Sequence, residues 1–104
     1  MKVIIELNKL YNQDCITYMK ALPDNCVNLI IADPPYNIGK DYNNNSDKQS
    51  NEKYLLFIKN QITEYCRILS ENGTLIIYTG KQYNPYYNIE IQQHFIVQNS
   101  IIWF

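Results

Sequence analysis

The fold of this chain is predicted most directly from the stretch Val27-Asn28-Leu29-Ile30-Ile31-Ala32-Asp33-Pro34-Pro35-Tyr36. Its first six residues form an apolar run without alternation, which is typical of a strand that helices cover on both faces. Two consecutive prolines cannot donate ladder hydrogen bonds and bias the preceding residue away from helix, so the chain must leave the sheet at Asp33. The stretch therefore predicts a buried strand that delivers a carboxylate to the rim of a sheet.

Helical patterns lie on both sides of this strand. Asp14 stands where an N-cap belongs, ahead of apolar residues at helical spacing that continue to Leu22, so a helix of about two turns is expected there. A longer helix is predicted after Asn51, which we expect to cap it, and Gly73 is expected to end it in the left-handed conformation. The apolar face of this helix repeats at steps of three or four residues through Leu55, Ile58, Ile62, Tyr65 and Leu69.

A second buried strand is predicted from Thr74 to Tyr78, after the longer helix. A strand, a helix and a second strand in this order imply parallel strands joined by a crossover. The predicted fold class is therefore α/β, with a mostly parallel sheet and flanking helices. Ligands of such sheets bind at the carboxyl ends of the strands, so Asp33 and the residues near Thr79 and Gly80 are expected to share a functional rim.

Other segments carry weaker patterns. Val3 to Leu7 favours a strand and Lys9 to Asn12 a short extended piece, whereas Asn84 to Gln93 predicts a third helix and Phe95 to Phe104 a last strand. The polar segment 37–51 is predicted to be a long mobile loop, and loops of this length in compact domains are usually functional or disordered.

The composition argues against several classes of protein. Nine Lys and Arg against ten Asp and Glu give a net charge of −1, so the chain lacks the strong positive field of a domain that binds duplex DNA unaided. Three cysteines without a CxxC pair predict buried, reduced thiols and no metal site. No apolar stretch approaches the length of a bilayer span and no signal peptide is recognisable, so we expect a cytoplasmic protein without a membrane partner.

The tetrapeptide Asp33-Pro34-Pro35-Tyr36, placed after a buried strand and before a polar loop, resembles the hallmark of the DNA adenine and cytosine amino-methyltransferases. The resemblance implies a partial Rossmann-like methyltransferase fold, S-adenosylmethionine as the methyl donor and double-stranded DNA as the partner. It covers nearly the whole chain, through Leu10 to Cys15, Leu29 to Ala32, Asn37 to Tyr42, Gly73 to Leu75 and Ile101 to Trp103.

The four residues of the tetrapeptide are candidate catalytic residues, because they suit the chemistry of an exocyclic amine. The amine nitrogen of adenine or cytosine is a poor nucleophile, since its lone pair is delocalised into the ring. The Asp33 carboxylate and the Pro34 carbonyl would accept its two hydrogens and direct the lone pair at the donor, and the ring of Pro35 helps to fix that carbonyl. The base must first leave the duplex, and stacking on Tyr36, worth about 1 to 3 kcal/mol, would replace the lost stacking.

The resemblance also implies which residues touch DNA. In the family the loop after the tetrapeptide closes over the extruded nucleotide, a role that segment 37–51 would fill. The expected nucleic-acid contacts are Tyr36 and Asn37 at the base and Lys40 and Lys48 near phosphates.

The methyl donor is expected, again by resemblance, beside Asp14, Cys15 and Asp33. Asp14 has a second interpretation, as an N-cap that merely satisfies helix amides, and this one is favoured. Members of the family also carry a glycine-rich turn for the methionine part of the donor. This chain has three isolated glycines and no such turn.

In one permuted branch of the family the tetrapeptide comes first, and target recognition and the glycine turn follow it. Residues 1–104 are therefore expected to be the truncated catalytic-side portion of a methyltransferase domain, inactive alone. A complementary chain would carry the missing donor-binding and target-recognition parts. The chain is otherwise a decayed remnant whose uncovered apolar face makes it prone to aggregation.

The activity expected of the complete protein is site-specific methylation of adenine in DNA, within a restriction-modification system. In the resembling proteins an aspartate at the first position of the tetrapeptide, here Asp33, is common for adenine. Methylation of the amino group of cytosine is the alternative reaction. A non-catalytic module that binds nucleic acid or a partner chain is the alternative class.

Overall fold

The structure, a computed structural model, describes residues 6–37, 41–42, 45–46 and 50–102. In chain order they form α1 (Cys15–Lys20), β1 (Val27–Ala32), β2 (Asp41–Tyr42), β3 (Asn45–Ser46), α2 (Asn51–Ile68), β4 (Leu69–Ile77) and α3 (Asn84–Gln92). β1 pairs with β4 in parallel, and β2 and β3 form a short antiparallel ribbon. The predicted α/β class, with parallel strands and flanking helices, is confirmed.

Helix α1 begins where the sequence predicts and is held at both ends. The Asp14 carboxylate caps it by accepting hydrogen bonds from the amide and the hydroxyl of Thr17, both at 2.9 Å. At the other end the guanidinium of Arg67, on α2, donates to the carbonyl oxygens of Met19 at 2.5 Å and Leu22 at 2.8 Å. Because these carbonyls find a partner on α2, the short helix is fastened to the long one.

Helix α2 supplies much of the core, and its cap lies one residue before the predicted one. Ser50, rather than Asn51, accepts the amide hydrogen of Lys53 at 3.3 Å, while Asn51 is the first helical residue and accepts a hydrogen bond from the hydroxyl of Tyr83. The prediction was wrong because serine and asparagine cap helices equally well, so the local sequence does not show which of the two is the cap. Ser50 caps the helix because the side chain of Asn51 is already bonded to Tyr83. The buried face of α2 consists of Tyr54, Ile58, Gln61, Ile62, Tyr65 and Ile68.

Helix α2 also ends earlier than predicted. Leu69 is already extended and opens β4, so Gly73 lies inside a strand and does not terminate the helix. The carbonyls of Arg67 and Ile68 accept the amide hydrogens of residues 25 and 26, at 2.9 Å and 2.7 Å. Because the segment before β1 satisfies the end of the helix, no left-handed glycine cap is required.

The two faces of the parallel pair differ. One face packs into the core through Ile30, Ala32, Leu75 and Ile77. On the other face Leu29, Ile31, Ile76 and Tyr78 are exposed, Ile31 to 63%. The expectation that helices bury β1 on both faces is therefore wrong for the described residues, since α1, α2 and α3 belong to a single core cluster on one side.

Of the segments with weaker sequence patterns, only some have the predicted secondary structure. Helix α3 ends one residue before the predicted limit, and no strand forms at residues 9–12 or 95–102. A strand at residues 3–7 would lie mostly outside the described residues, as do Trp103 and Phe104. Segment 37–51 contains the ribbon of β2 and β3, so its described part has structure of its own. Its mobility stays a prediction.

The structure can be compared with the expectations for the cysteines, for membrane spans and for metal sites. Cys15 is exposed and Cys26 and Cys66 are half-buried, all three as free thiols, so the expectation of buried thiols was wrong for Cys15. Within the described part of the chain no helix is long and apolar enough to cross a membrane. The same residues bring together no cluster of His, Cys, Asp or Glu able to hold a metal ion.

Candidate active site

The tetrapeptide stands at the carboxyl end of the parallel pair. The pairing continues to the last residue of β1, because the Tyr78 amide donates to the Ala32 carbonyl at 2.9 Å. Asp33 follows directly and is exposed. The shared rim is confirmed on the β4 side too, where Thr79 accepts a hydrogen bond from the side chain of Asn84, the first residue of α3, at 2.8 Å.

Asp33 and Tyr36 form the polar centre of the turn. The hydroxyl of Tyr36 donates to one carboxylate oxygen of Asp33 at 2.6 Å. This short hydrogen bond to a carboxylate belongs to the stronger class of protein hydrogen bonds. The half-buried side chain of Tyr36 is therefore held beside the exposed carboxylate of Asp33.

Gly80 permits the close approach of Tyr36 to the end of β4. A Cβ atom added at Gly80 would lie 3.2 Å from Cβ and 3.4 Å from Cγ of Tyr36, tighter than ordinary van der Waals contact. Glycine at this position therefore lets the backbone after β4 pass against Tyr36. The prediction that Gly80 shares the rim is confirmed, and its contact with Tyr36 gives the reason.

Asn37, the expected DNA contact after the tetrapeptide, is turned inward. It adopts the left-handed backbone conformation, with φ 57°, and is only 8% exposed. Its side-chain amide donates to the hydroxyl of Tyr83 at 3.0 Å, and that hydroxyl donates to the side chain of Asn51 at the start of α2. Asn37 thus links the turn to α2, and its contact with nucleic acid stays a prediction.

Two prolines complete the turn. Pro34 is half-buried and Pro35 exposed, and the Pro35 carbonyl accepts a hydrogen bond from the hydroxyl of Tyr54, which is fully buried on α2. The base-facing role predicted for the Pro34 carbonyl stays a prediction. Tyr54 is a residue that sequence reasoning missed.

Tyr54 belongs to a buried polar cluster that links α2 with α3. Its hydroxyl lies 3.4 Å from that of Tyr87, which accepts from Gln61 at 2.6 Å, and Gln61 in turn accepts from Tyr65 at 3.0 Å. Burial raises the pKa of Tyr65 to about 12 and raises that of Tyr87 still further, so both hydroxyls stay neutral and keep their protons. The recurrence of Tyr54, Gln61 and Tyr65 on the inner face of α2 was the available sequence signal.

The predicted donor contacts lie on α1. Asp14 and Cys15 are exposed, at the N-cap and the first residue of the helix. Hydrogen bonds from the amide and then the hydroxyl of Thr17 hold the pKa of Asp14 below its ordinary value. The N-cap interpretation is confirmed, and a donor contact by Asp14 or Cys15 stays a prediction.

Two predicted phosphate contacts are not placed. Lys40 and Lys48 both lie outside the described residues. Their contact with DNA stays a prediction.

Comparison with known proteins agrees with this geometry. Residues 27–104 match the family described as DNA methylase. The chain belongs to the DNA methylase family. It is 42% identical over 82 residues to the Type II methyltransferase M.BamHI of Bacillus amyloliquefaciens, which is 78% of this chain and 19% of that relative. The resemblance to DNA amino-methyltransferases is thereby confirmed.

Further relatives extend the match. The chain is 39% identical over 98 residues to the Type II methyltransferase M.HpaI of Haemophilus parainfluenzae, and 26% identical over 98 residues to the DNA adenine methyltransferase YhdJ of Escherichia coli. These matches cover 92% and 94% of this chain, but 31% and 33% of the relatives. This DNA methylase chain therefore spans about a fifth to a third of the three relatives named here.

S-adenosylmethionine is the donor typical of the DNA methylase family, and Gly73 and Gly80 are the glycines of the described residues where backbone could come close to it. The space where Gly73 would receive a ligand is filled by Leu69, whose Cγ lies 2.6 Å from an added Cβ, and the space at Gly80 is filled by Tyr36. Backbone cannot approach a ligand where a side chain of the same protein already lies. Neither Gly73 nor Gly80 therefore offers open space beside its backbone for the donor.

Proposed function

We propose that this chain is the catalytic-side part of a DNA adenine methyltransferase of a restriction-modification system. The observation that carries the proposal is the exposed Asp33 carboxylate at the rim of the sheet, which accepts a hydrogen bond from the hydroxyl of Tyr36 at 2.6 Å. The relatives support it, because two of them are Type II methyltransferases and a third is a DNA adenine methyltransferase.

In the proposed complex the adenine leaves the duplex and stacks on the ring of Tyr36. Its amino group donates one hydrogen to the Asp33 carboxylate and the other to the Pro34 carbonyl. Both acceptors draw the nitrogen toward tetrahedral geometry and make its lone pair available. The Asp33 carboxylate has two oxygens, so the amine can be accepted while Tyr36 stays bonded to the other oxygen.

We assign the supply of the methyl group to a complementary part of the protein. The exposed apolar face of the sheet, formed by Leu29, Ile31, Ile76 and Tyr78, supports such a partner, because contiguous apolar surface of this kind normally marks an interface. In that assembly Asp14, Cys15 and Asp33 would lie on the donor side, and Lys40 and Lys48 on the DNA side.

The test joins this chain to the part of M.HpaI that follows its matched region. DNA from cells that express the chimera is digested to nucleosides and examined by mass spectrometry for methylated bases. We expect N6-methyladenine, with loss of the signal in Asp33→Ala and full signal in the control Glu71→Ala, which removes an exposed carboxylate from β4. N4-methylcytosine in its place would overturn the choice of adenine, and equal signal in Asp33→Ala would overturn the catalytic assignment.

A further inference from the structure

A directed chain of hydrogen bonds runs through the interior and ends on the tetrapeptide. The Tyr65 hydroxyl donates to the Gln61 side-chain oxygen, and the Gln61 amide donates to the Tyr87 hydroxyl. The single proton of Tyr54 is donated to the Pro35 carbonyl, so in the contact between Tyr54 and Tyr87 the donor is Tyr87. Every donor in this tyrosine-glutamine chain therefore points toward Pro35.

A second connection reaches the turn from the other side. The Asn37 amide donates to Tyr83, and Tyr83 donates to Asn51. Tyr83 is 3% exposed and its ring centroid lies 4.4 Å from that of Tyr54, so the two anchoring tyrosines also pack on each other.

The two connections bracket a single residue. Pro35 and Asn37 are the neighbours of Tyr36 in the chain, and each is held from the interior by a different tyrosine. Gly80 lies close to Tyr36 on a third side, since a Cβ atom added at Gly80 would lie 3.2 Å from Cβ of Tyr36. Fixed neighbours and a close backbone leave the ring of Tyr36 little freedom to move away from Asp33.

We propose that Tyr54 and Tyr83 are positioning residues, which hold the peptide groups on either side of Tyr36 so that its ring and the Asp33 carboxylate are set before a base arrives. The proposal deepens the proposed function and rests on it for the identity of the base. Neither tyrosine touches the substrate; they act through Pro35 and Asn37.

Burial and charge suit this role. A hydrogen bond in a dry interior is electrostatically strong, and a buried carbonyl left without its partner is costly, so the direct bond from Tyr54 holds the Pro35 carbonyl firmly. The groups in the chain are neutral, because burial keeps the hydroxyl of Tyr87 protonated well above its ordinary pKa. The tyrosine-glutamine chain therefore places no charge behind the turn that would compete with Asp33 for the amine.

The test compares variants of the chain that each delete one buried hydroxyl. Tyr54→Phe removes the bond to Pro35, and Tyr83→Phe removes the link between Asn37 and Asn51. Tyr65→Phe is the matched control, since it deletes a buried hydroxyl from the far end of the same chain and leaves both anchors in place. Asn37→Gly serves if Tyr83→Phe fails to fold, because glycine accepts the φ of 57° but has no side-chain amide to donate to Tyr83.

The first measurement follows Tyr36 itself. The tyrosines are labelled with ¹³C at Cζ, and the Tyr36 resonance is assigned by its absence in Tyr36→Phe. We expect a displaced Tyr36 signal in the unmodified chain, from its bond to Asp33, and a move toward the value of an exposed tyrosine in Tyr54→Phe and Tyr83→Phe. Tyr65→Phe should leave the Tyr36 signal unchanged, even if it lowers the urea midpoint of unfolding as much as Tyr54→Phe and Tyr83→Phe do. If all three variants move the signal equally, or none does, the proposal is overturned.

The second measurement connects positioning with the base, and it uses the chimera with the following part of M.HpaI, because the chain alone lacks the positive field of a domain that binds duplex DNA. A duplex carries 2-aminopurine opposite an abasic site, so that extrusion costs little. Fluorescence anisotropy reports binding of the duplex, and 2-aminopurine emission reports stacking of the base on the protein. Loss of one anchoring bond should weaken insertion by on the order of tenfold in Tyr54→Phe and Tyr83→Phe, with unchanged anisotropy and no effect in Tyr65→Phe.

The two measurements separate the two failures. An unmodified chimera that binds DNA without inserting the base, together with a Tyr36 signal that responds only to Tyr54→Phe and Tyr83→Phe, would contradict the proposed function and uphold positioning of the turn. Base insertion that survives both substitutions at full strength would uphold the function and overturn the role of Tyr54 and Tyr83.

Discussion

The substitution Arg67→Met should separate α1 from the rest of the domain. The guanidinium donates to two carbonyl oxygens near the end of α1, of Met19 and Leu22, and pairs with Asp24 and Glu64, each at 2.8 Å. Methionine keeps the packing of the methylenes and removes all the donors. The position of Asp14, at the other end of α1, therefore depends on Arg67.

The cost of Arg67→Met can be added up from these contacts. The two carbonyls lose about 1 kcal/mol each, and Glu64, whose side chain is 14% exposed, loses about 1 kcal/mol because water reaches it poorly. Asp24 is 69% exposed, so its pair contributes close to zero. The sum is about 3 kcal/mol, which is a large part of the 5 to 15 kcal/mol typical of a domain.

Urea unfolding followed by far-ultraviolet circular dichroism measures this cost. With a slope of about 1.5 kcal/mol per molar urea, the midpoint should fall by about 2 M in Arg67→Met. The midpoint of Arg67→Lys should lie between those of the unmodified chain and Arg67→Met, because lysine keeps the positive charge but lacks the planar guanidinium. The control Lys59→Met removes an exposed cation from the same helix and should leave the midpoint in place. A midpoint for Arg67→Met within about 0.3 M of that of the unmodified chain would contradict the stabilisation assigned to the hydrogen bonds of Arg67.

Other substitutions test the cap, the glycine in β4 and the two sheet faces. Asp14→Ala should cost about 1 kcal/mol at neutral pH. Because the folded pKa of Asp14 is lowered, its contribution is present above the ordinary pKa of 3.8 and is lost as the pH falls through the lowered pKa, so urea midpoints of the two chains should converge in acid. Gly73→Ala should cost about 1 to 3 kcal/mol, since the added Cβ would lie 2.6 Å from Cγ of the buried Leu69; an unchanged midpoint would contradict that packing. Ile31→Thr should change stability by less than about 0.5 kcal/mol and raise solubility, whereas Ile30→Thr, on the core face, should cost about 2 kcal/mol; equal effects would contradict the assignment of faces.

The features that could be predicted from the sequence are those with local causes. The end of β1 at Asp33 follows from the hydrogen-bonding limits of two prolines, and the start of α1 follows from the capping chemistry of Asp14. The parallel pairing follows from the order of a strand, a helix and a strand. Each of these depends on neighbours in the chain, which a sequence displays directly.

The features that could not be predicted depend on distant partners. Helix α2 ends before Gly73 because residues 25 and 26 come back to its last carbonyls. The inward turn of Asn37 depends on Tyr83, 46 residues away. Ten tyrosines give no indication of which ones meet across α2 and α3, so the anchors of the turn became visible only in the fold.

Whether adenine stacks on Tyr36 is tested most directly by a nuclear Overhauser measurement on the chimera with the following part of M.HpaI, bound to a duplex with adenine opposite an abasic site. We expect contacts between the adenine ring protons and the ring of Tyr36, ring-current shifts of those protons, and loss of the contacts in Asp33→Ala. An adenine that stays stacked in the duplex, or that contacts the protein away from Asp33 and Tyr36, would contradict that stacking.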